Sequence, residues 1–469
     1  MALKIDKHDI LALFNLEDCD VDNVNFVNQG TFTAVHISLR ANYPPCNCCG
    51  SEKVLIKGYV LKKINYAVLS DRNCILFYHA RRYQCTTCNH TFYEENPFCF
   101  NQMKISTMTI QSVLRDLKNQ SETFSSVARR YHISPTSVSS IFDQHVMMPR
   151  LPLTEVICLD ECYAFHHQGE KSKYVLTILD YTSNIPIDIL PSRKKEYMQS
   201  YFMAIPEKER KKVRFLATDM YKPFRYIAKN VFSHSLHCVD RFHVAQELSR
   251  KVDAVRIRVM KSVQKYIPNT KQLTDEYYLL KKFNWLIFKR RDAADRDHIP
   301  LFDPGRKKLM NNKLQKMLNY HDIRKWIEGI HPDLETAWRL RDDLTDFYED
   351  NTRETASEHI DELIQSFYKS NIPEMIEFAG TLGTWREEIL NAFYVVGYSH
   401  KVTKDGQVVT SERRPNSSIL EQKNSILKII KHNANGYTSW PRFRNRCLYV
   451  LRPEARPLLN PIASEKKKK

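Results

Sequence analysis

At 469 residues and 42% hydrophobic composition, the chain is long enough for several domains and too apolar to be disordered. A formal net charge of +17, of which the run Lys466–Lys469 is only a part, favours nucleic acid over a membrane or an acidic partner, although many basic proteins bind neither. No apolar run approaches the about 18 residues of a membrane span, and the first residues lack a signal-peptide pattern. The expectation is therefore a cytoplasmic protein with no membrane contact, whose twelve cysteines stay reduced.

Residues 1–40 form a short mixed lead without a motif, and residues 41–100 carry two CxxC pairs, Cys46/Cys49 and Cys85/Cys88. Strand-like runs, Val54-Leu55-Ile56 and Cys74-Ile75-Leu76-Phe77-Tyr78, separate the pairs. Four thiolates so arranged close a structural, tetrahedral Zn²⁺ site of zinc-ribbon type with no open position, and Pro44-Pro45 and Gly50 suit tight turns beside the first knuckle. Cys48 adjoins Cys49, but the CxxC frame selects Cys49; His90 is not needed as a ligand. A redox pair is the competing reading, and neither CxxC has a thioredoxin-like context. Cys19, Cys74, Cys99, Cys158, Cys162, Cys238 and Cys447 read as small buried apolar residues.

Residues 101–150 read as a helix-turn-helix DNA-binding domain. Phe124, Val127, Ala128 and Tyr131 share one helical face, Ile133 fills a turn, Ser134 caps a second helix and Pro135 takes its first position. Val138, Ile141 and Phe142 then face back to the core, and residues 105–117 supply a supporting helix. Arg129 and Arg130 could meet phosphates, and Thr136, Ser137, Ser139 and Ser140 bases or phosphates. An ordinary helical hairpin is the alternative, and His132 stands where such turns usually have glycine.

Residues 151–245 alternate strands and helices: strands 155–160, 174–180 and 185–190, a helix 194–205, a strand 213–219, a helix 221–231 and a strand 235–240. Three strands, helix, strand, helix, strand is the order of an RNase-H-like core, which places acids at the ends of its first and fourth strands and on a later helix. Asp160 and Asp219 close the first and fourth strands; Glu421 lies on an amphipathic helix over 416–432. There Leu420, Ile426, Leu427 and Ile430 form an apolar face, with Glu421, Asn424 and Lys428 opposite, Asn424 and Lys428 directed at a phosphate backbone. Three carboxylates suit Mg²⁺ or Mn²⁺, and two such ions can clamp the attacking and leaving oxygens of a phosphodiester. Glu161 competes with Asp160, but strand alternation turns it away. Asp240 competes with Asp219 and Glu412 with Glu421; His166, His167 and His243 lack zinc-hydrolase spacing. Residues 246–400 read as long helices, 401–455 as the last part of the core beginning in a polar loop, and 456–469 as a basic tail. The fold class expected is thus multidomain α/β, an RNase-H-like core interrupted by a large all-helical insertion.

Asp160-Glu161 after a strand, Thr218-Asp219-Met220-Tyr221, Asp240-Arg241-Phe242-His243-Val244, and Glu421, Asn424 and Lys428 followed by Gly436-Tyr437 resemble the DDE transposases of bacterial insertion sequences. The chain is most similar to the ISL-three family, whose members carry an N-terminal zinc-binding domain and a helix-turn-helix. That family commonly has glycine after the last acid, where Gln422 stands, and a Lys-Gly pair after the first, near which Gln168-Gly169 and Lys171 stand. The resemblance implies Asp160, Asp219 and Glu421 as catalytic metal ligands and Asp240, Arg241, His243 and Asn424 as a supporting motif. It further implies a helical insertion that binds transposon ends or a second subunit. Double-stranded DNA as partner, both terminal inverted repeats and target, assembly as at least a dimer, and a place at the bacterial nucleoid follow from the same likeness.

Overall fold

The computed structural model describes residues 11, 14, 16–17, 19–66, 73–99, 104–165, 173–266, 273–401, 408–416 and 418–460. His166, His167, Gln168, Gly169, Lys171 and the run Lys466–Lys469 lie outside them. Contacts divide the chain into two compact units, Met1–Pro149 with Ile426–Lys469, and Arg150–Ser425. Among the described residues no helix is long and apolar enough to cross a membrane.

The first unit opens with a hairpin of β1 (Val21–Asn28) and β2 (Phe32–Leu39). Gly30 turns it at φ +80°, and the Asn28 Oδ1 accepts the Gly30 N–H at 2.9 Å. The long strands β3 (Val54–Tyr66) and β4 (Asn73–Cys85) follow, then the short β5 (Thr91–Tyr93), giving the order β1-β2-β4-β3 with β5 also on β4. Alternation sends Cys74, Leu76, Tyr78 and Ala80 of β4 into one core with Val35, Ile37 and Ile64. Residues 1–40 are therefore not a mere lead: their second half supplies two of the five strands of a sheet.

Three helices come next: α1 (Thr107–Asp116), α2 (Phe124–Arg130) and α3 (Pro135–His145). Thr123 and Ser126 form a reciprocal capping box on α2; Ser134 caps α3 by accepting the Ser137 N–H, with Pro135 in the first turn. His132 takes the left-handed conformation between them at φ +51°. The C-terminal helix α15 (Trp440–Leu451) clasps α1. Its buried Arg446 donates to the carbonyls of Leu117, Asn119 and Glu122, just past the end of α1, and the Tyr449 hydroxyl donates to that of Leu114 at 3.1 Å. These contacts explain why residues 426–460 side with the N-terminal unit, whereas the sequence reading keeps 401–455 together with the core.

The second unit centres on a mixed sheet of β6 (Val156–Tyr163), β7 (Tyr174–Asp180), β8 (Ile185–Leu190), β9 (Phe215–Thr218) and β10 (Leu236–Val239), in the order β10-β9-β6-β7-β8. β6, β7 and β8 pair antiparallel, while β9 runs parallel to both β6 and β10. Ile157 and Leu159 face α4 (Lys195–Met203) and α6 (Lys222–Val231), through Met198, Phe202, Phe224 and Ile227; the short α5 (Glu207–Arg210) lies between those helices in the chain. Val156 and Cys158 face the other way, onto Leu420 of α14 (Ser418–Asn433). Asp160 is next on that second face.

A helical block follows: α7 (Arg241–Ser262), α8 (Asp275–Lys282), a short 3₁₀ turn, α9 (Tyr320–Ile330), α10 (Pro332–Asp350), α11 (Arg353–Lys369), α12 (Pro373–Thr384) and α13 (Arg386–Asn391). It shares one core around Trp338, Phe367 and Phe378. It is not wholly helical, because β11 (Leu309–Asn311) and β12 (Lys316–Leu318) form a two-stranded ribbon within it. Nor is the segment around 401–415 simply a polar loop: β13 (Val396–Lys401) and β14 (Val408–Arg413) pair antiparallel there.

Candidate functional site

Asp160 lies within β6 rather than at its end, since the strand continues in register with β7 as far as Tyr163. Asp219 directly follows β9, the parallel neighbour of β6, so adjacent strands deliver the two acids to one region of the sheet. The Asp160 Oδ1 accepts the Glu161 N–H at 2.8 Å, and its Oδ2 accepts the Asn424 Nδ2 at 2.8 Å. Asn424 is itself held, its Oδ1 accepting the Thr177 hydroxyl at 2.8 Å. Asn424 is thus buried against the sheet, not aimed outward with Glu421 and Lys428 as the helical arithmetic suggests. Asp219 accepts the Tyr221 N–H at 3.0 Å.

Burial raises the Asp160 carboxyl to about 6; nearby His243 opposes this, Asp219 adds to it, and the Glu161 and Asn424 donors lower it. Asp219 is likewise raised by burial and opposed by His243, by the Tyr221 N–H and by Arg193. The two acids therefore share a desolvated spot that disfavours two negative charges and would gain from a cation. Glu161 points to the opposite face of β6 and pairs with Arg193, whose guanidinium stacks 4.0 Å from the Tyr174 ring and 4.7 Å from that of Tyr221. Burial, and then the charge of Asp219, still raise Glu161 to about 7. Sequence reasoning missed Arg193 and Thr177; the traces they leave are a threonine in an otherwise apolar strand and an arginine soon after β8.

Glu421 is exposed in the first turn of α14, one turn before Asn424, and Lys428 is exposed farther along the same helix. Among the described residues, Asp160, Asp219 and Glu421 do not form a group with ligand atoms within 4.8 Å of one another; the four cysteines do. The rival Asp240 caps α7 by accepting the Phe242 N–H at 2.9 Å, which places Arg241 and His243 in the first turn of that helix. The rival Glu412 is exposed on β14, across from Gly397.

Cys46 and Cys88 have their sulfurs 3.7 Å apart, and Cys49 and Cys85 3.6 Å. Thiolates about 2.3 Å from a tetrahedral ion stand about 3.8 Å from one another, so the spacing fits a bound metal. Backbone N–H groups of Cys88 and Thr87 help bring the Cys85 thiol down to about 6, whereas hydrogen bonding among the neighbouring cysteines raises Cys88 and Cys49, as expected of four crowded sulfurs that ionise together only around a cation. Cys48 is exposed and outside the group; Cys74, Cys99, Cys158, Cys162, Cys238 and Cys447 are buried as expected, but Cys19 is exposed, in a turn before β1. On α2, Arg130 pairs with Asp116 and Glu122, leaving Arg129 the more available of the two arginines. Thr136 and Ser140 are exposed on α3, and Ser137 and Ser139 half-buried.

A family model described as a transposase, of the ISL3 type of DDE transposases, matches residues 157–447, more than half of the chain. The chain belongs to this family. The transposase for insertion sequence element IS1001 of Bordetella parapertussis is 20% identical over 415 residues, spanning 87% of this chain and 89% of that relative. The family match runs from β6 into α15, and so contains Asp160, Asp219 and Glu421 together with the whole helical block of this ISL3-type chain.

Proposed function

We propose that this chain binds the terminal inverted repeats of its own insertion sequence, cleaves there and transfers the freed ends to target DNA. The observation that supports this most is the pair Asp160 and Asp219, two desolvated carboxylates on neighbouring parallel strands, with α14 tied to Asp160 through Asn424. On this reading β6–β10 form an RNase-H-like core, α7–α13 an insertion in it, α2 and α3 a helix-turn-helix, and the four cysteines a structural Zn²⁺ site of ribbon type. Asp160, Asp219 and Glu421 would hold Mg²⁺ or Mn²⁺. Bound there, the ions supply charge stabilisation to the phosphate undergoing displacement.

The protein's own part is orientation. Asn424 and the Glu161 N–H fix both oxygens of Asp160, and His243 offsets the charge of both aspartates. Water attacks the phosphodiester at an element end, so that the P–O3′ bond breaks and leaves a 5′-phosphate and a free 3′-hydroxyl. That hydroxyl then attacks a target phosphodiester, joining to its phosphorus as the target's own 3′-hydroxyl departs with the proton. Arg129, Lys428 and the polar positions of α3 would engage DNA, and joining two ends calls for at least a dimer. Such a protein acts in the cytoplasm at the nucleoid.

A second reading, a DNA-binding regulator without chemistry, is favoured by one observation: Glu421 stands exposed, outside any compact carboxylate group. Strand cleavage and joining on an end-containing duplex with Mg²⁺, for wild type and Glu421→Gln, separates the two. Activity lost in the variant while binding persists supports the transposase; binding without chemistry in either protein supports the regulator.

A further inference from the structure

The ribbon of β11 and β12 has a composition unlike its surroundings. From Arg306 to Tyr320 it holds five cations and no carboxylate. Arg306 and Lys308 pair with Asp295 and Asp322, which lie outside this stretch. Met310 and Met317 stand directly opposite one another across the antiparallel pair, so both side chains leave the same face. They are 50% and 55% exposed, and neighbouring Leu309 is 66% exposed. Isolated two-stranded ribbons are marginal in water, but this one is fastened down. Leu314, in the turn, is buried in the helical core, and Leu318 packs against it. The Asn311 Oδ1 accepts the N–H groups of Lys313 and Leu314, at 3.1 and 3.2 Å. Lys316 lies 4.3 Å from the centre of the Trp326 ring on the face opposite the methionines. The ribbon therefore presents a fixed apolar pair, edged by Lys307, Lys308 and Lys313.

We infer that this ribbon is a DNA-binding element, with Met310 and Met317 packing against base edges or between base steps in a groove while the lysines meet flanking phosphates. The inference rests on the proposed function only for the presence of DNA. A two-stranded ribbon fits the major groove, and methionine and leucine serve as wedges where duplexes are bent. The charge selects the partner: Arg306 and Lys308 are balanced by Asp295 and Asp322, but Lys307, Lys313 and Lys316 leave the ribbon a net positive strip that complements a polyphosphate, whereas a second copy of this +17 chain would be repelled by it on average.

The test uses the full chain, a mixed-sequence duplex and fluorescence anisotropy across a salt series, with circular dichroism as a check of folding. The paired change Lys307→Ala and Lys313→Ala should flatten the dependence of log K on log salt by about 0.9 for each phosphate that is no longer neutralised. Met310→Ser with Met317→Ser should weaken binding on the order of tenfold at fixed salt and leave that slope unchanged. Folded variants that match wild type in both affinity and slope overturn the inference. So does loss of self-association without loss of DNA affinity, which would assign the ribbon to a second copy. If wild type binds no DNA at all, the proposed function fails as well; if wild type binds and cleaves while the variants equal it, the ribbon inference fails alone.

Discussion

Replacing Asp160 by asparagine should stabilise the protein while abolishing its chemistry. The Asp160 carboxyl, ordinarily at 3.8, is held at about 6 by burial, with His243, Asp219, the Glu161 N–H and Asn424 as lesser influences. A folded state that holds this proton more tightly than the unfolded chain loses stability as the pH rises from about 4 to about 6, and the loss persists above that. A gap of about two pH units corresponds to about 3 kcal/mol. Asparagine cannot accept from both present donors, but Asn424 can turn its amide over, donating to the Thr177 hydroxyl oxygen and accepting from the new side chain. The amide oxygen of that new side chain then keeps the Glu161 N–H, and with about 1 kcal/mol set aside for the Thr177 hydroxyl proton, which loses its acceptor, Asp160→Asn should gain about 2 kcal/mol at neutral pH. Urea unfolding without added Mg²⁺ or Mn²⁺ at about pH 7.5 and about pH 5 measures it, and the gain should fall by more than half at the lower pH, midway through the window in which wild type loses stability. Added Mg²⁺ should stabilise wild type more than the variant. A variant no more stable than wild type at neutral pH, or a gain independent of pH, would refute the argument from burial.

Three further outcomes follow from named contacts. Cys85→Ser should release the bound metal and Cys48→Ser retain it, read as zinc per chain by elemental analysis of the purified proteins. His132→Gly relieves a left-handed backbone at φ +51° and should raise the urea midpoint, the gain being about 1 kcal/mol or less because glycine has more freedom to lose on folding. Arg225 meets both oxygens of Glu388, at 2.5 and 2.7 Å, and Glu388 is buried. Glu388→Ala should cost about 3 kcal/mol by leaving that guanidinium partly buried and unpaired, and Arg225→Met with Glu388→Leu should recover much of the loss in the same unfolding assay.

The parts of the second unit that were legible in the sequence are those whose strands are buried on both faces. There an acid stands out against an uninterrupted apolar run, as Asp160 and Asp219 do after Leu159 and Thr218. The caps of α2 and α3 were equally plain, because Thr123, Ser134 and Pro135 act through their own backbone neighbours. The hairpin β1–β2 was hidden because β1 fully buries only Val21, so its alternation carries little contrast.

Asn424 illustrates a subtler failure. At about 100° per residue, it lies about 40° from Leu420 and about 60° from Glu421 around the helix. Grouping it with Glu421 by i, i+3 spacing was geometrically allowed, yet it stands nearer the buried stripe, and only the sheet opposite reveals a partner there, in Asp160 and Thr177. The same angle bears on the third acid. With Asn424 anchored on Asp160, Glu421 is swung about 60° around the helix toward solvent, outside any compact group with the two aspartates. A carboxylate so placed avoids adding a third negative charge to a spot that already raises two. Whether it completes the site is therefore decided by what the paired aspartates bind, and Glu421→Gln tests that step without disturbing the buried network beneath it.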